Sequence, residues 1–253
     1  NLTNPLMAAT TALRLLLGLA ILLSAEGATF TEWLRDEAGE RWERVVAHRF
    51  TDELATGTIS NATLTRYLVQ DHRFLDNFSV LLASMVAKAP SLADRVPGAQ
   101  FLALILGKEN TYFERSLRAL GVSEEAEARV PEEPVTKRFK KLMLDAARSG
   151  DVVRMLVVLV VAEWSYLSWG ERVVPLRAEG LPFYCGEWID LHSGDYFRSV
   201  IAYLRELLDR LGSQLSYRQK KAARALFLAA VECENDFFDM AYEGDDVGPK
   251  TEL

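Results

Sequence analysis

The stretch VVRMLVVLVVAEWSYLSWGERVV, residues 152–174, decides the fold. Its segment Met155 to Ala162 (MLVVLVVA) contains no polar residue. So many β-branched side chains suit a strand, but strands are usually about 3–10 residues long. This run instead continues through Glu163-Trp-Ser-Tyr166 at helical spacing, and its total length favours a helix. A helix that is apolar on all sides is covered on all sides, so residues 152–174 are expected at the centre of a helical bundle.

Working outward from this segment, every neighbouring stretch has helical periodicity and none alternates like a strand. Thr29 and Glu32 have the spacing of a capping box ahead of a helix over 30–50, with Trp33, Leu34, Trp42, Val45, Val46 and Phe50 as its apolar face. Gly57 breaks the chain, and Ser60 caps a long helix to about residue 89. Pro90 and Pro97 bound a connector, and a helix over 98–120 ends at Gly121. The acidic segment 123–134 is expected to be an exposed loop, followed by a helix over 135–148 and a break at Ser149-Gly150-Asp151. After the central helix, Gly180 and Pro182 lead into a helix over 187–211, and Ser216 with Gln219 opens a last helix to about residue 242. The result is one all-α domain over 29–242, with an extension at 1–28 and a polar tail at 243–253.

Composition limits the function. With 253 residues, of which 49% are apolar, the chain can bury a core. A net charge of -7 and a pI near 5.2 disfavour a nucleic-acid partner. Cys185 and Cys233 form no CxxC and no disulfide framework, so buried inert thiols in a reduced, cytoplasmic compartment are the natural reading. The segment from Met7 has one basic residue, Arg14, a short apolar run over 15–23 and then small residues, which resembles a secretory signal; the rival reading is an N-terminal helix. The run is short of the ~20 apolar residues of a membrane-spanning helix, and no membrane partner is expected.

Three carboxylates stand where a bundle helix should bury hydrocarbon. Asp71 lies between Leu68 and Leu75, Glu163 closes the most apolar run, and Glu234 precedes Phe237 and Phe238. A buried carboxylate costs several kcal/mol unless paired, and burial raises its pKa into a range useful for acid–base work. A single acid on a helix is more often solvated or ion-paired, and Asp76, Glu232, Asp236 and Asp239 are read as solvent-facing. No GxSxG, P-loop, GxGxxG or HExxH motif occurs, and His48, His72 and His192 are too few for a carboxylate-bridged di-iron site.

The order of these segments resembles the TenA (thiaminase II) family. Tyr67-Leu-Val-Gln-Asp71-His-Arg-Phe74 is similar to the family's Y-x-x-Q-D-x-x-Y/F. Val161-Ala-Glu-Trp-Ser-Tyr-Leu-Ser-Trp-Gly170 is similar to P-C-x-W-x-Y-x-x-x-G. Residues 187–197 resemble W-I-x-x-Y…F, and residues 234–242 resemble E-x-x-F-W-x-x-A-Y. The resemblance implies a heme-oxygenase-like helical bundle without heme, a homo-oligomer (tetramer or dimer), and a pocket for an aminopyrimidine from thiamin breakdown. By motif position it implies that Asp71 contacts the pyrimidine nitrogens, that Phe74, Tyr166 and Phe237 form an aromatic slot, and that Glu234 is the acid–base group.

The departures from the pattern narrow the activity. The family's nucleophilic cysteine aligns with Ala162, and Glu163 follows it, as in the cysteine-less E-type branch that resembles a salvage hydrolase of amino- or formylaminopyrimidines. Two pocket tyrosines are replaced by Phe139 and His192, the latter a substitute donor or proton carrier. The expected activity pairs Glu163 with Glu234 across the exocyclic C–N bond and requires no metal or organic cofactor. The alternatives are a non-catalytic pyrimidine-binding or regulatory relative, and a metal-dependent oxidase on the same fold.

Overall fold

Burial of the run 155–162 organises the chain. A computed structural model describes residues 27–243; the signal-like run and nearly all of the polar tail lie outside them. The helices are α1 (Phe30–Ala38), α2 (Glu40–Val46), α3 (Arg49–Thr56), α4 (Asn61–Lys88), α5 (Leu92–Leu104) and α6 (Asn110–Ala119). They continue with α7 (Glu124–Arg129), α8 (Pro134–Arg148), α9 (Val152–Val173), α10 (Phe183–Leu191), α11 (Gly194–Gly212) and α12 (Tyr217–Met240). A π-turn (Ile105–Glu109) joins α5 to α6, a 3-10 turn (Val174–Leu176) follows α9, and no strand occurs among the described residues.

Helix α9 is the axis of the bundle. It packs against α2, α3, α4, α8, α10, α11 and α12, and every residue from Met155 to Leu167 is buried. With its 3-10 extension it is long and apolar enough to cross a membrane, yet 72% of its most apolar window is covered by the other helices. Asp151 caps its start by accepting from the Val153 and Arg154 amides (2.9 and 3.4 Å).

Several boundaries differ from the sequence reading, each for a local reason. The single helix expected over 30–50 is three. Gly39 (φ 51°) takes a backbone conformation closed to most side chains and separates α1 from α2. His48 opens α3 rather than ending a helix: its Nδ1 accepts from the Phe50 amide at 3.1 Å. The capping boxes at Thr29 and Ser216 form as expected. Pro97 lies inside α5 instead of before it, because Ser91 caps that helix earlier. The acidic segment after Gly121 contains the short helix α7, capped by Ser123. The helix expected over 187–211 begins at Phe183 and breaks at His192-Ser193.

Gly170 makes that last break useful. A β-carbon there would sit 2.1 Å from the His192 carbonyl oxygen. Only glycine lets α9 approach the end of α10 so closely, and this contact fixes the backbone that carries His192. Gly170→Ala should therefore destabilise the fold by about 1–3 kcal/mol through overpacking, which denaturant unfolding of the two proteins would measure.

Candidate active site

Helices α4, α8, α9, α10 and α12 and the π-turn converge on one cavity. The side chains reach it by helical spacing: Asp71, Phe74, Leu75 and Phe78 lie at i, i+3, i+4 and i+7 on α4, and Glu234 and Phe237 are three apart on α12. From α9 come Ala162, Glu163 and Tyr166, from α8 Phe139, from α10 Trp188, and from its C-cap His192. The cavity thus contains all eight residues singled out from the sequence: Glu163, Glu234, Asp71, Phe74, Phe139, Tyr166, His192 and Phe237.

Aromatic rings form the walls. Phe74 meets Phe139 edge-on at 4.9 Å and Phe237 at 6.2 Å. Across Tyr67, which contacts both Phe237 and Trp188, a second group brings His192 within 4.2 Å of Trp188 and 4.8 Å of Tyr166. Such rings complement the face of a flat heterocycle.

The polar atoms inside lack partners. Asp71 Oδ2, Glu234 Oε1 and Trp188 Nε1 are buried with no hydrogen bond. Buried polar groups are nearly always satisfied, so three orphans around one cavity are positioned for a ligand. The Tyr67 hydroxyl neighbours Asp71 and acts to lower its pKa, and it lies 2.6 Å from the Tyr166 hydroxyl. Either hydroxyl of this tyrosine pair can be the donor. Gln70 explains the residue before Asp71: its amide donates to the Pro131 carbonyl (2.9 Å) and accepts from the Glu133 amide and the Thr136 hydroxyl (3.1 and 2.8 Å). It thereby ties the start of α8 to α4 beside the site.

Burial sets the protonation of the site. Desolvation raises the Asp71 carboxyl to about 7 and that of Glu109 to about 8. Glu163 is pushed well above the usual carboxylate range by desolvation and by the neighbouring Glu109, Glu234 and Asp71. Glu234 is raised by desolvation and by Asp71. His192 behaves in the opposite way for the same reason: burial lowers its pKa to about 3. Its Nδ1 lies 2.8 Å from the Trp188 carbonyl oxygen, which can only accept, so Nδ1 carries the proton. His192 Nε2 thus offers a lone pair, and the imidazole serves as an acceptor instead of the donor read from the sequence.

Sequence reasoning missed Glu109, although Ile105, Glu109, Tyr112 and Phe113 lie at i, i+4, i+7 and i+8 and flag an acid on a buried face. Trp188, the tryptophan of the motif at 187–197, also lines the cavity. No cysteine contributes. Cys233 is buried against Arg138 and borders a separate groove, and Cys185 is a buried free thiol raised to about 11. Among the described residues no group of three or more His, Cys, Asp or Glu is placed to hold a metal ion. Asp76, Glu232 and Asp239 are exposed as expected, and Asp236 is half-buried in an ion pair with Arg138.

The raised carboxyls carry a cost in stability. At these carboxyls the folded state retains protons that the unfolded chain releases, so their contribution to stability should fall as pH rises from about 4 to about 8. The neutral His192 contributes in the opposite sense below about pH 6.5. Asp71→Asn should match the parent below about pH 3, where the carboxyl is protonated in both states, and exceed it above about 7. Denaturant unfolding at a series of pH values measures the difference.

The geometry has clear relatives. A sequence model of the TENA/THI-4/PQQC family matches residues 35–244. The chain is 26% identical over 215 residues to an aminopyrimidine aminohydrolase of Halalkalibacterium halodurans, covering 85% of this chain and 96% of that protein. The crystal structure of a TenA homologue from Pyrococcus furiosus superposes with a TM-score of 0.76 at 26% identity, over 84% of this chain and 100% of that one. A Shewanella denitrificans domain with a heme oxygenase-like fold superposes at 0.62 and 12% identity, over 83% and 90% of the two chains, and shares the fold alone. With helices α4, α8, α9, α10 and α12 delivering the motif residues to one cavity, and a family match over most of its length, the chain belongs to the TENA/THI-4/PQQC family.

Proposed function

We propose that this protein is a hydrolase of thiamin-degradation aminopyrimidines, replacing the exocyclic amino or formylamino group by hydroxyl. The observation that carries this reading is the presence of Glu163 and Glu234, from different helices, in one aromatic-walled cavity with Asp71. Asp71 Oδ2 faces the ring's amino and ring nitrogens, and the aromatic walls hold its faces. Two carboxyls held near each other out of water do not both ionise cheaply, so one keeps a proton. The ionised partner takes a proton from water as its oxygen bonds to the exocyclic carbon. The C–N bond breaks with its electron pair going to nitrogen, and the protonated partner supplies the proton. Ala162 offers only a methyl group where a nucleophile would stand, so water attacks directly. The residues present supply acid, base and positioning, and the proposed cycle uses no metal or organic cofactor. The family's usual homo-oligomer in the cytoplasm completes the proposal, and sedimentation of the purified protein tests the assembly.

Glu163→Gln and Glu234→Gln should each lower kcat by at least about 10²-fold while leaving the pyrimidine bound. Assays with aminomethyl- and formylaminomethyl-pyrimidine and with thiamin, run side by side, check this. Full activity in both variants would overturn the assignment, and binding without turnover in the parent would select a pyrimidine-binding protein instead.

A further inference from the structure

Helix α5 does not run directly into α6. Residues 105–109 widen into a π-turn, a feature that often marks a functional site. Glu109 ends this turn and borders two spaces: the inner cavity with Asp71 and Glu163, and an outer groove past Lys108, Asp190 and Phe197. It is half-buried, and no hydrogen bond or ion pair among the described residues engages its carboxyl. The inner cavity has four carboxyls in its lining and no Lys or Arg, and its imidazole is neutral. The catalytic scheme above uses three of those acids and leaves Glu109 without a role.

We propose that Glu109 is a specificity-determining residue that holds the ammonium of a 5-aminomethyl group where the cavity meets the outer groove, so that the enzyme selects the cationic amine over its neutral N-formyl amide. This rests on the hydrolase reading and names which of its substrates the site favours. A cation beside this carboxyl stabilises the ionised form and displaces its proton. The bound ammonium already carries the proton its nitrogen needs. When water attacks, the C–N electron pair leaves with nitrogen as ammonia, and the water's proton passes to the ionised member of the Glu163–Glu234 pair. The amide has no such charge, gains nothing from Glu109, and relies on the protonated member of the pair.

The test compares kcat/KM for the aminomethyl- and formylaminomethyl-pyrimidines in the parent and in Glu109→Gln. The ratio of amine to amide should fall roughly tenfold or more, since a charge-assisted hydrogen bond is lost for one substrate alone. An unchanged ratio overturns the proposal, whether both rates hold or both fall. A binding arm separates this from the hydrolase reading. In a Glu234→Gln background, calorimetry with the aminomethyl and the neutral hydroxymethyl pyrimidine should show that adding Glu109→Gln weakens only the cation. If the parent hydrolyses neither substrate, the hydrolase reading fails and the binding arm still decides the role of Glu109. Equal weakening of both ligands, or of neither, rejects it.

Discussion

Exclusion of water from the carboxyls of Glu163, Glu234 and Asp71 is the constraint on which the rest of the molecule depends. These groups would be strongly hydrated on a surface, and hydrated they would be ordinary ionised acids. The apolar flanks of α4, α9 and α12 remove that water, and desolvation is the first cause of every raised carboxyl in the cavity. The hydrophobic core and the proton chemistry therefore have one origin, since the helix that anchors the bundle also carries Glu163, an acid raised well above the usual carboxylate range. A buried charge without a partner is unstable. Here protonation and, in the proposed reaction, substrate replace the missing partner.

Residues that do not touch the cavity hold it to shape. Gln70, fully buried, satisfies three backbone and side-chain groups of residues 131–136, so the start of α8 and hence Phe139 is registered against Asp71. Gly170 sets the closeness of α9 to His192, and the Trp188 carbonyl sets which imidazole nitrogen carries the proton. The Tyr67–Tyr166 contact joins α4 to α9 beside Asp71. Each acts through position, which is why the residue types around the site are as specific as those within it.

The departures at Ala162, Phe139 and His192 are consistent with one another. With Ala162, Phe139 and His192 where the resemblance implies a thiol and two phenols, the cavity is poor in donors and nucleophiles and rich in carboxyls. Its polar chemistry then rests on acids whose pKa values are raised towards and beyond neutrality, together with one imidazole that only accepts. Water is the natural nucleophile for such a site, because acids and acceptors can activate it without a covalent intermediate.

The sequence by itself determined the helical class, the central place of residues 152–174 and eight cavity residues. The helical class, the central helix and the three acids follow from local rules: a helix apolar on all sides must be covered, and an acid at an apolar position has to be explained. Phe74, Phe139, Tyr166, His192 and Phe237 came from the family resemblance. Most caps were legible too, because capping joins residues three apart. The sequence did not reveal the breaks at Gly39 and His192, the π-turn, or Glu109 as a fourth acid. Those depend on how one helix meets another across long stretches of chain. Periodicity places a residue on a face of its own helix, but which faces share one cavity is decided only when the bundle closes. Tertiary packing likewise made His192 an acceptor, since the direction of its proton depends on a carbonyl one turn away and on water that the neighbouring helices exclude.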